Sequence, residues 1–369
     1  MIRFIHCADL HLDSPFSGLG AIGGEARREG QRELFRSLIC LAKNRHADFL
    51  LIAGDLFDSG FTTSSTLKFV TDMLATLDCP VILSPGNHDP YTEGGLYATS
   101  FPENVKIFTS EKLSSFYFPK SNVCIHGYAF TSERHEEAPL ASGVSLDPTK
   151  INILCAHTEL DVPLSPYAPI DKKQLAASGF DYAALGHVHN APALETLGKT
   201  LTAYSGCPEG RSFDELDFGS VIEVTVDGDR VSAERLRIAK RRYMMETVDV
   251  TGAEKDSEVI DRIRQRIAVK AYGEDTALRV ILTGALTPDY VPSADFIVGA
   301  IEGLYHLELR DETTPVLDYA ELEHDLSIRG EYYRELVAKM QTMDEAERKV
   351  AAEALRIGLC ALSGKPIVF

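Results

Sequence analysis

Five short segments of the sequence carry carboxylate, amide and imidazole side chains of the kind that bind divalent metal ions. They are Asp9-Leu10-His11, Gly54-Asp55-Leu56-Phe57-Asp58, Gly86-Asn87-His88-Asp89, His157 alone, and Gly186-His187-Val188-His189. Residues two apart in extended backbone point the same way, so Asp9 with His11 and His187 with His189 are candidate ligand pairs. Mixed oxygen and nitrogen ligands suit Mn²⁺, Fe²⁺ or Zn²⁺ better than Mg²⁺ or Ca²⁺.

The chemistry that needs such a set is metal-assisted hydrolysis of a phosphoester. Two divalent ions about 4 Å apart can polarise a phosphoryl group, generate hydroxide and stabilise the oxygens of an in-line displacement. A single His or Asp in a loop is more often a solvated residue, a cap or part of a turn. Five motifs that each follow an apolar run instead predict one common site.

The apolar runs that precede these motifs define the elements that must position them. They cover residues 2–7, 48–53, 80–84, 151–156 and 182–185, and helical patterns at 25–44 and 62–77 separate the first three. Continuous apolar runs are typical of strands that are buried on both faces of a parallel sheet. The sequence therefore predicts an α/β sandwich with its active loops at the carboxyl ends of the strands.

The rest of the chain has a different pattern. Residues 201–250 are rich in strand signals, with a hairpin turn at 227–229, and residues 243–310 follow a strand–helix–strand order. Residues 332–362 predict two helices, with Thr342 or Asp344 as the N-cap of the second. The basic stretch at 235–242 is either a connector or a phosphate contact.

Composition narrows the classes of protein that fit. The chain has 369 residues, and its 44% of hydrophobic residues excludes a disordered chain. Its net charge of −18 argues against DNA binding by a basic surface alone. Binding through bound cations or a partner subunit remains compatible with this charge. The seven single cysteines predict reduced thiols. With no apolar run of about 18 residues and no apolar signal region, we expect a cytoplasmic protein that does not bind membranes.

The order DxH, GDxxD, GNHD, H, GHxH over residues 9–189 resembles the full signature of the calcineurin-like metallophosphoesterases. The resemblance implies a four-layer α/β-β/α sandwich and two metal ions bridged by Asp55. It implies one ion held by Asp9, His11, Asp55 and His189, and a second held by Asp55, Asn87, His157 and His187. It also implies that His88 is the catalytic histidine, which touches phosphate or protonates the leaving oxygen. Asp89, next to it, is expected to orient the His88 imidazole.

A narrower resemblance, to the SbcD-type DNA repair nucleases, comes from ADLHLDSPF, AGDLFDSG, SPGNHDP and GHVHN, and from the loop at 204–211. It implies a nuclease domain at 1–240, a small α+β capping domain at 241–315 and a helical segment at 316–369 that docks an SMC-like coiled-coil ATPase. It also implies Mn²⁺, 3′-to-5′ trimming of DNA ends and a homodimer. The second motif departs from archaeal and eukaryotic relatives, because Asp58 stands where they carry a histidine.

Two other functions are compatible with parts of this pattern. A small-molecule phosphodiesterase or nucleotide pyrophosphohydrolase would use the same metals, but it would need neither a capping domain nor a docking helix. A non-catalytic scaffold is disfavoured because all seven ligand positions and His88 are filled.

Arg211 is equally compatible with a phosphate contact and with a surface ion pair. Apolar residues in the tail form either a docking face or an internal packing face.

Overall fold

Two six-stranded sheets form the first of two units into which the chain divides, Met1–Arg242 and Tyr243–Phe369. The structure, a computed structural model, describes residues 1–16, 20–141, 143–287, 290–315 and 319–362. Residues 316–318 and 363–369 of the predicted helical segment therefore lie outside the described residues.

In chain order the first unit contains β1 (Ile2–Cys7), α1 (Gly20–Asn44), β2 (Phe49–Ile52), α2 (Ser64–Leu74), β3 (Val81–Leu83), β4 (Val105–Ile107), β5 (Ser114–Phe118), β6 (Val123–Gly127), β7 (Ile151–His157), α3 (Lys172–Ser178), β8 (Tyr182–Gly186), β9 (Glu195–Leu197), β10 (Thr200–Tyr204), β11 (Val221–Asp227) and β12 (Arg230–Leu236).

The first sheet has the order β12-β11-β1-β2-β3-β4 and the second has the order β5-β6-β7-β8-β10-β9. Strands β1 to β4 are mutually parallel, as are β6, β7, β8 and β10. Strands β11 and β12 form the hairpin predicted at residues 227–229, in antiparallel register. The five strands that precede the chemical motifs thus lie at the centres of the two sheets.

Alternating side chains of the central strands build four layers. From the first sheet, Phe4 and Leu51 share a core with Ile153 and Tyr182 of the second, so the two sheets pack face to face. On the outer face of the first sheet the apolar residues pack against α1 and α2, and on the outer face of the second sheet they pack against α3. This confirms the predicted α/β-β/α sandwich, because strands buried on both faces need helices on the outside.

The second unit contains a three-stranded sheet with helices on it, followed by three helices. Its elements are β13 (Arg242–Asp249), α4 (Asp256–Lys270), β14 (Thr276–Thr283), β15 (Ala285–Leu286), α5 (Ala294–Gly299), β16 (His306–Asp311), β17 (Thr314–Pro315), α6 (Tyr319–His324), α7 (Ile328–Met340) and α8 (Glu345–Leu362). The three-stranded sheet has the order β13-β14-β16. Helices α4 and α5 pack on it through a core that includes Ile263, Val280 and Ile297. The division of this unit at residues 315 and 316 stays a prediction.

The two predicted tail helices are present as α7 and α8, and their packing is local. Leu322, Tyr333, Leu355 and Leu359 form a small core among α6, α7 and α8. Asp344 begins α8 with a capping box, since Glu347 N donates to its Oδ1 at 2.9 Å and Asp344 N donates to the Glu347 carboxylate at 3.1 Å. Among the described residues, no helix is long and apolar enough to cross a membrane.

Candidate metal centre

The five motifs come together where the carboxyl ends of five parallel strands meet. Strand β1 leads to Asp9 and His11, β2 to Asp55, and β3 to Asn87 and His88, while β7 ends at His157 and β8 leads to His187 and His189. Backbone hydrogen bonds lock the loops together across the first sheet. Asp9 N donates to Gly54 O at 3.0 Å, and His11 N donates to Asp55 O at 2.9 Å. The structure therefore places all the predicted ligand residues and His88 in one site.

Four of these residues have backbone angles that side-chain-bearing residues rarely adopt. The φ angles are 54° at Asp9, 45° at His11, 52° at Asp55 and 104° at His187. Such angles persist only where the surrounding structure over-determines them, and they cluster at functional sites. Close packing adds a constraint at Gly86, where a Cβ would collide with the Asp55 carboxylate.

One half of the site is formed by Asp9, His11, Asp55 and His189, whose ligand atoms all lie within 4.8 Å of one another. The His11 Nε2 and His189 Nε2 atoms face each other at 3.2 Å, and His11 Nε2 is 3.5 Å from Asp55 Oδ2. His189 Nε2 lies 3.9 Å from Asp9 Oδ1. Two imidazole nitrogens and two carboxylates thus converge on one point.

The other half is centred on His157. Its Nε2 is 3.3 Å from Asp55 Oδ2 and 2.9 Å from Asn87 Oδ1. Its Nδ1 lies 2.9 Å from Ala53 O, a carbonyl that can only accept, so Nδ1 carries the proton. The centroid of the His187 ring lies 5.2 Å from that of His157 and 4.6 Å from that of Tyr167. Asp55 Oδ2 therefore contacts both halves.

The close packing of these groups shifts their pKa values strongly. Burial, supported by the neighbouring Asp55 charge, raises the pKa of Asp9 to about 6. Burial lowers the pKa of His187 to about 4, with a further contribution from His157. Burial opposes the charged form of His157, but Asp55 outweighs it and raises the pKa of His157 to about 9. Perturbed groups of both kinds in one cluster are typical of a functional site.

The residues present fit a pair of divalent cations. The donor set of carboxylate, amide and imidazole is the one that first-row transition ions accept. The Nε2 atoms of His11 and His189 face each other at 3.2 Å beside the buried carboxylates of Asp9 and Asp55. A cation between imidazole nitrogens and carboxylates removes the cost of leaving buried polar atoms unpaired.

Asp89 does not orient His88, which corrects the expectation from sequence. Its Oδ1 accepts from Gly86 N at 2.8 Å and Asp55 N at 3.2 Å, and its Oδ2 accepts from Phe57 N at 3.0 Å and Tyr97 Oη at 2.5 Å. Both oxygens are thus used to brace the loops that carry Asp55 and Asn87. Although Asp89 follows His88 in the sequence, its carboxylate does not lie against the His88 ring.

The carboxylate beside His88 is Asp58. Its Oδ1 lies 3.7 Å from His88 Nδ1, and this neighbour raises the pKa of His88 above its ordinary value. The His88 side chain is 46% exposed, whereas His11 and His157 are fully buried. His88 N also donates to Asp55 Oδ1 at 2.9 Å, which fixes the backbone next to the ligand cluster.

Sequence reasoning missed Glu215, which contacts a predicted ligand. Glu215 Oε1 lies 2.7 Å from His189 Nδ1, and Arg211 Nη2 donates to the same oxygen at 2.6 Å. Arg211 therefore forms an ion pair, one of the two alternatives left open for it. The one available signal was the i, i+4 spacing of Arg211 and Glu215, which is common in sequences and weak without a helix.

The basic stretch at 235–242 is used for contacts within the first unit. Arg235 donates to the carbonyls of Pro192 and Tyr204 at 2.7 and 2.9 Å, and Arg237 lies over the Phe218 ring. Lys240 pairs with Glu33 at 2.7 Å. These contacts support the connector interpretation.

Comparison with known proteins gives a consistent set of relatives. The family model described as calcineurin-like phosphoesterase matches residues 2–191. The chain is 29% identical over 306 residues to the uncharacterized metallophosphoesterase YhaO of Bacillus subtilis, covering 79% of this chain and 74% of that protein. It is 25% identical over 388 aligned positions to the DNA double-strand break repair protein Mre11 of Methanopyrus kandleri, covering 96% of this chain and 82% of that protein.

Among solved structures, the chain is similar to a dimetal phosphatase from Danio rerio, with 10% identity and a TM-score of 0.42. The match covers 64% of this chain and 96% of that one.

Proposed function

The chain belongs to the calcineurin-like phosphoesterase family, and from that premise we propose that it is a dinuclear-metal nuclease that hydrolyses phosphodiester bonds in DNA during repair. The observation that carries the proposal is the position of Asp55, whose Oδ2 contacts His11 on one side and His157 on the other. A carboxylate shared by two clusters of donors is the arrangement that a pair of catalytic cations requires.

The proposed ligands of the first ion are Asp9, His11, Asp55 and His189. The proposed ligands of the second are Asp55, Asn87, His157 and His187. Mn²⁺ is the proposed metal, with Fe²⁺ and Zn²⁺ as alternatives, because the ligands mix imidazole nitrogen with carboxylate oxygen. When bound, the cations would supply Lewis-acid activation of the phosphodiester and of the attacking water.

His88 is the proposed general acid. Its ring is exposed beside the buried ligand cluster, and Asp58 favours its protonated form. A protonated imidazole at this position would donate its proton to the departing sugar oxygen, so that the leaving group departs as an alcohol. Asp89 has no proposed step in the reaction, because its oxygens are bound to loop backbone and Tyr97.

DNA is the proposed substrate because relatives that span most of the chain are named as DNA double-strand break repair proteins. Trimming from 3′ to 5′, a cytoplasmic location, homodimerisation and an SMC-like ATPase partner that docks on α7 and α8 are proposed on the family resemblance. The relative with 29% identity is named only as a metallophosphoesterase, which keeps a small phosphodiester as the second candidate substrate.

The experiment is cleavage of an end-labelled linear DNA duplex in Mn²⁺, with a chromogenic phosphodiester assayed in parallel. Wild type is compared with Asp55→Ala and His88→Ala. Asp72→Asn, which removes an exposed ion pair with Lys68 on the surface of α2, is the control. We expect Asp55→Ala to lose both metal and cleavage. We expect His88→Ala to keep the metal and to lose about 10²- to 10⁴-fold in rate.

Turnover of the small diester without DNA cleavage, at low salt and with a candidate ATPase present, would contradict the DNA nuclease. It would move the protein to the small-molecule phosphodiesterases. Wild-type cleavage of DNA that survives in Asp55→Ala would contradict the dinuclear site itself.

A further inference from the structure

We infer that Glu215 is a positioning residue that fixes the ring of His189 for metal binding and is itself held in place by Arg211. The inference rests on the proposed function in one respect, since it takes His189 as a metal ligand. It adds a residue outside the motifs at 9–189, from a loop that begins after β10 and carries no ligand of its own.

The contact between Glu215 and His189 defines the state of the imidazole. Glu215 Oε1 lies 2.7 Å from His189 Nδ1, and an ionised carboxylate can only accept. Arg211 Nη2 also lies 3.2 Å from Nδ1, but it donates to Glu215 Oε1 at the shorter distance of 2.6 Å. The proton in the contact between Nδ1 and Oε1 therefore belongs to Nδ1. Nε2, which lies 3.2 Å from His11 Nε2 and 3.9 Å from Asp9 Oδ1, is left for a metal ion. A hydrogen bond from the other ring nitrogen sets both the tautomer and the orientation of a histidine ligand.

Arg211 fixes the carboxylate in turn. Its backbone N donates to Glu215 Oε2 at 2.7 Å, and its Nη2 donates to Oε1 at 2.6 Å. On its other side, Arg211 Nη1 donates to Ser14 Oγ at 3.4 Å, and Ser14 Oγ donates to His11 O at 2.8 Å. The Glu215 side chain is 8% exposed, so water competes little for these bonds.

The loop that carries this pair is anchored by a second buried ion pair, which offers a matched control. Glu209 Oε1 accepts from Arg27 Nη1 at 3.0 Å, and its Oε2 accepts from the backbone N atoms of Lys240 and Arg241 at 3.0 and 3.1 Å. Glu209 and Glu215 are thus buried carboxylates in one loop, each paired with an arginine. Of the two, Glu215 is the carboxylate that contacts a proposed ligand, His189.

The test is the affinity and stoichiometry of Mn²⁺ binding, measured on the full chain by titration calorimetry and by electron paramagnetic resonance of free Mn²⁺. Wild type is compared with Glu215→Gln, Glu215→Ala and Glu209→Gln. We expect Glu215→Ala to weaken one of the two Mn²⁺ sites by about 10- to 100-fold, with the other site retained. Glu215→Gln keeps an acceptor oxygen and should recover part of that loss. Glu209→Gln should lower the melting temperature and leave both Mn²⁺ affinities within twofold of wild type.

A second measurement does not depend on any variant of Glu215 folding. In metal-free wild type, the ¹⁵N imidazole spectrum should show His189 protonated on Nδ1, with the assignment made by the loss of that signal in His189→Gln. Protonation on Nε2 instead, or unchanged Mn²⁺ affinity in both folded Glu215 variants, would overturn the inference. If Mn²⁺-loaded wild type fails to cleave DNA, the nuclease proposal is refuted. The effect of the Glu215 variants on Mn²⁺ affinity can still be measured in that case.

Discussion

Asp89 follows His88 directly in the sequence, whereas Asp58 reaches His88 only in the folded chain, and the two carboxylates have different roles. Asp89 is buried, and burial with the charge of Asp55 raises the pKa of Asp89 to about 7, while four donors bind its two oxygens. Asp58 lies beside the exposed ring of His88 and has the geometry to favour the imidazolium. At this scale the structure separates a carboxylate that binds loop backbone from one that lies beside His88, the proposed proton donor.

Replacing Asp58 tests that separation. We expect Asp58→Asn to lower kcat for phosphodiester cleavage by about tenfold, because the asparagine removes the charge that favours protonated His88. Mn²⁺ affinity should be unchanged, and in a His88→Ala background the same substitution should have no further effect on kcat. A Mn²⁺ affinity that falls with kcat, or an additive loss in the double variant, would assign Asp58 to the metal instead.

His6 shows how the elements are joined across the middle of the sandwich. It lies in β1 of the first sheet, and its Nδ1 and Nε2 are 3.0 Å from Tyr182 Oη and 3.2 Å from Leu185 O of β8 in the second. Burial lowers the pKa of His6 to about 3, so the ring is neutral in the folded protein. The contact is structural, and it holds the strand that leads to Asp9 against the strand that leads to His187.

A pH dependence of stability follows from this neutral histidine. Below pH 6.5 the unfolded chain takes up a proton at residue 6, whereas the folded chain does not until about pH 3. The free energy of unfolding should therefore fall by about 2 kcal/mol from this residue between pH 6.5 and pH 5. Urea unfolding in chelator should show that His6→Gln lacks this decrease and that His306→Gln, at an exposed strand position, retains it. Equal pH slopes in wild type and His6→Gln would refute the assignment.

The elements predicted best from the sequence were the strands that are buried on both faces. The strands that end near Asp9, Asp55 and His157 are mostly apolar because they are covered on both faces, and each was located to within about two residues. The start of α1 at Gly20 was missed by five residues, because Gly20, Gly23 and Gly24 are poor helix formers. Strand β5 was also missed, although its Phe116 and Phe118 pack against the core between the two sheets.

The candidate site likewise contains residues that the sequence predicts and contacts that it does not. Ligand residues follow strands, so the sequence order alone locates them. Glu215 comes to His189 through the path of a long loop, and the pairing of Asp58 with His88 depends on how two loops meet. Contacts of that kind are tertiary and leave no periodicity in the chain.

The whole molecule is acidic, and its net charge of −18 shapes how it can meet DNA. Within residues 235–242, Arg235, Arg237 and Lys240 make contacts inside the first unit. Binding of a polyanion by such a chain should depend on divalent cations at the site, since these supply the local positive charge.

A chelator should accordingly weaken DNA binding. We expect the His88→Ala variant to bind a labelled duplex in Mn²⁺ and to lose at least tenfold in affinity in EDTA, as measured by fluorescence anisotropy. Asp55→Ala should bind weakly in both conditions. Binding that EDTA does not change would show that a surface other than the metal centre carries the affinity.

The most direct test of the account is to locate the metals. Crystals of the wild-type protein grown with Mn²⁺ should show two anomalous scattering peaks about 4 Å apart, one on each side of the Asp55 carboxylate. One peak should lie among Asp9, His11 and His189, and the other among Asn87, His157 and His187. A single peak, or two peaks that do not share Asp55, would contradict the dinuclear site on which the proposed function rests.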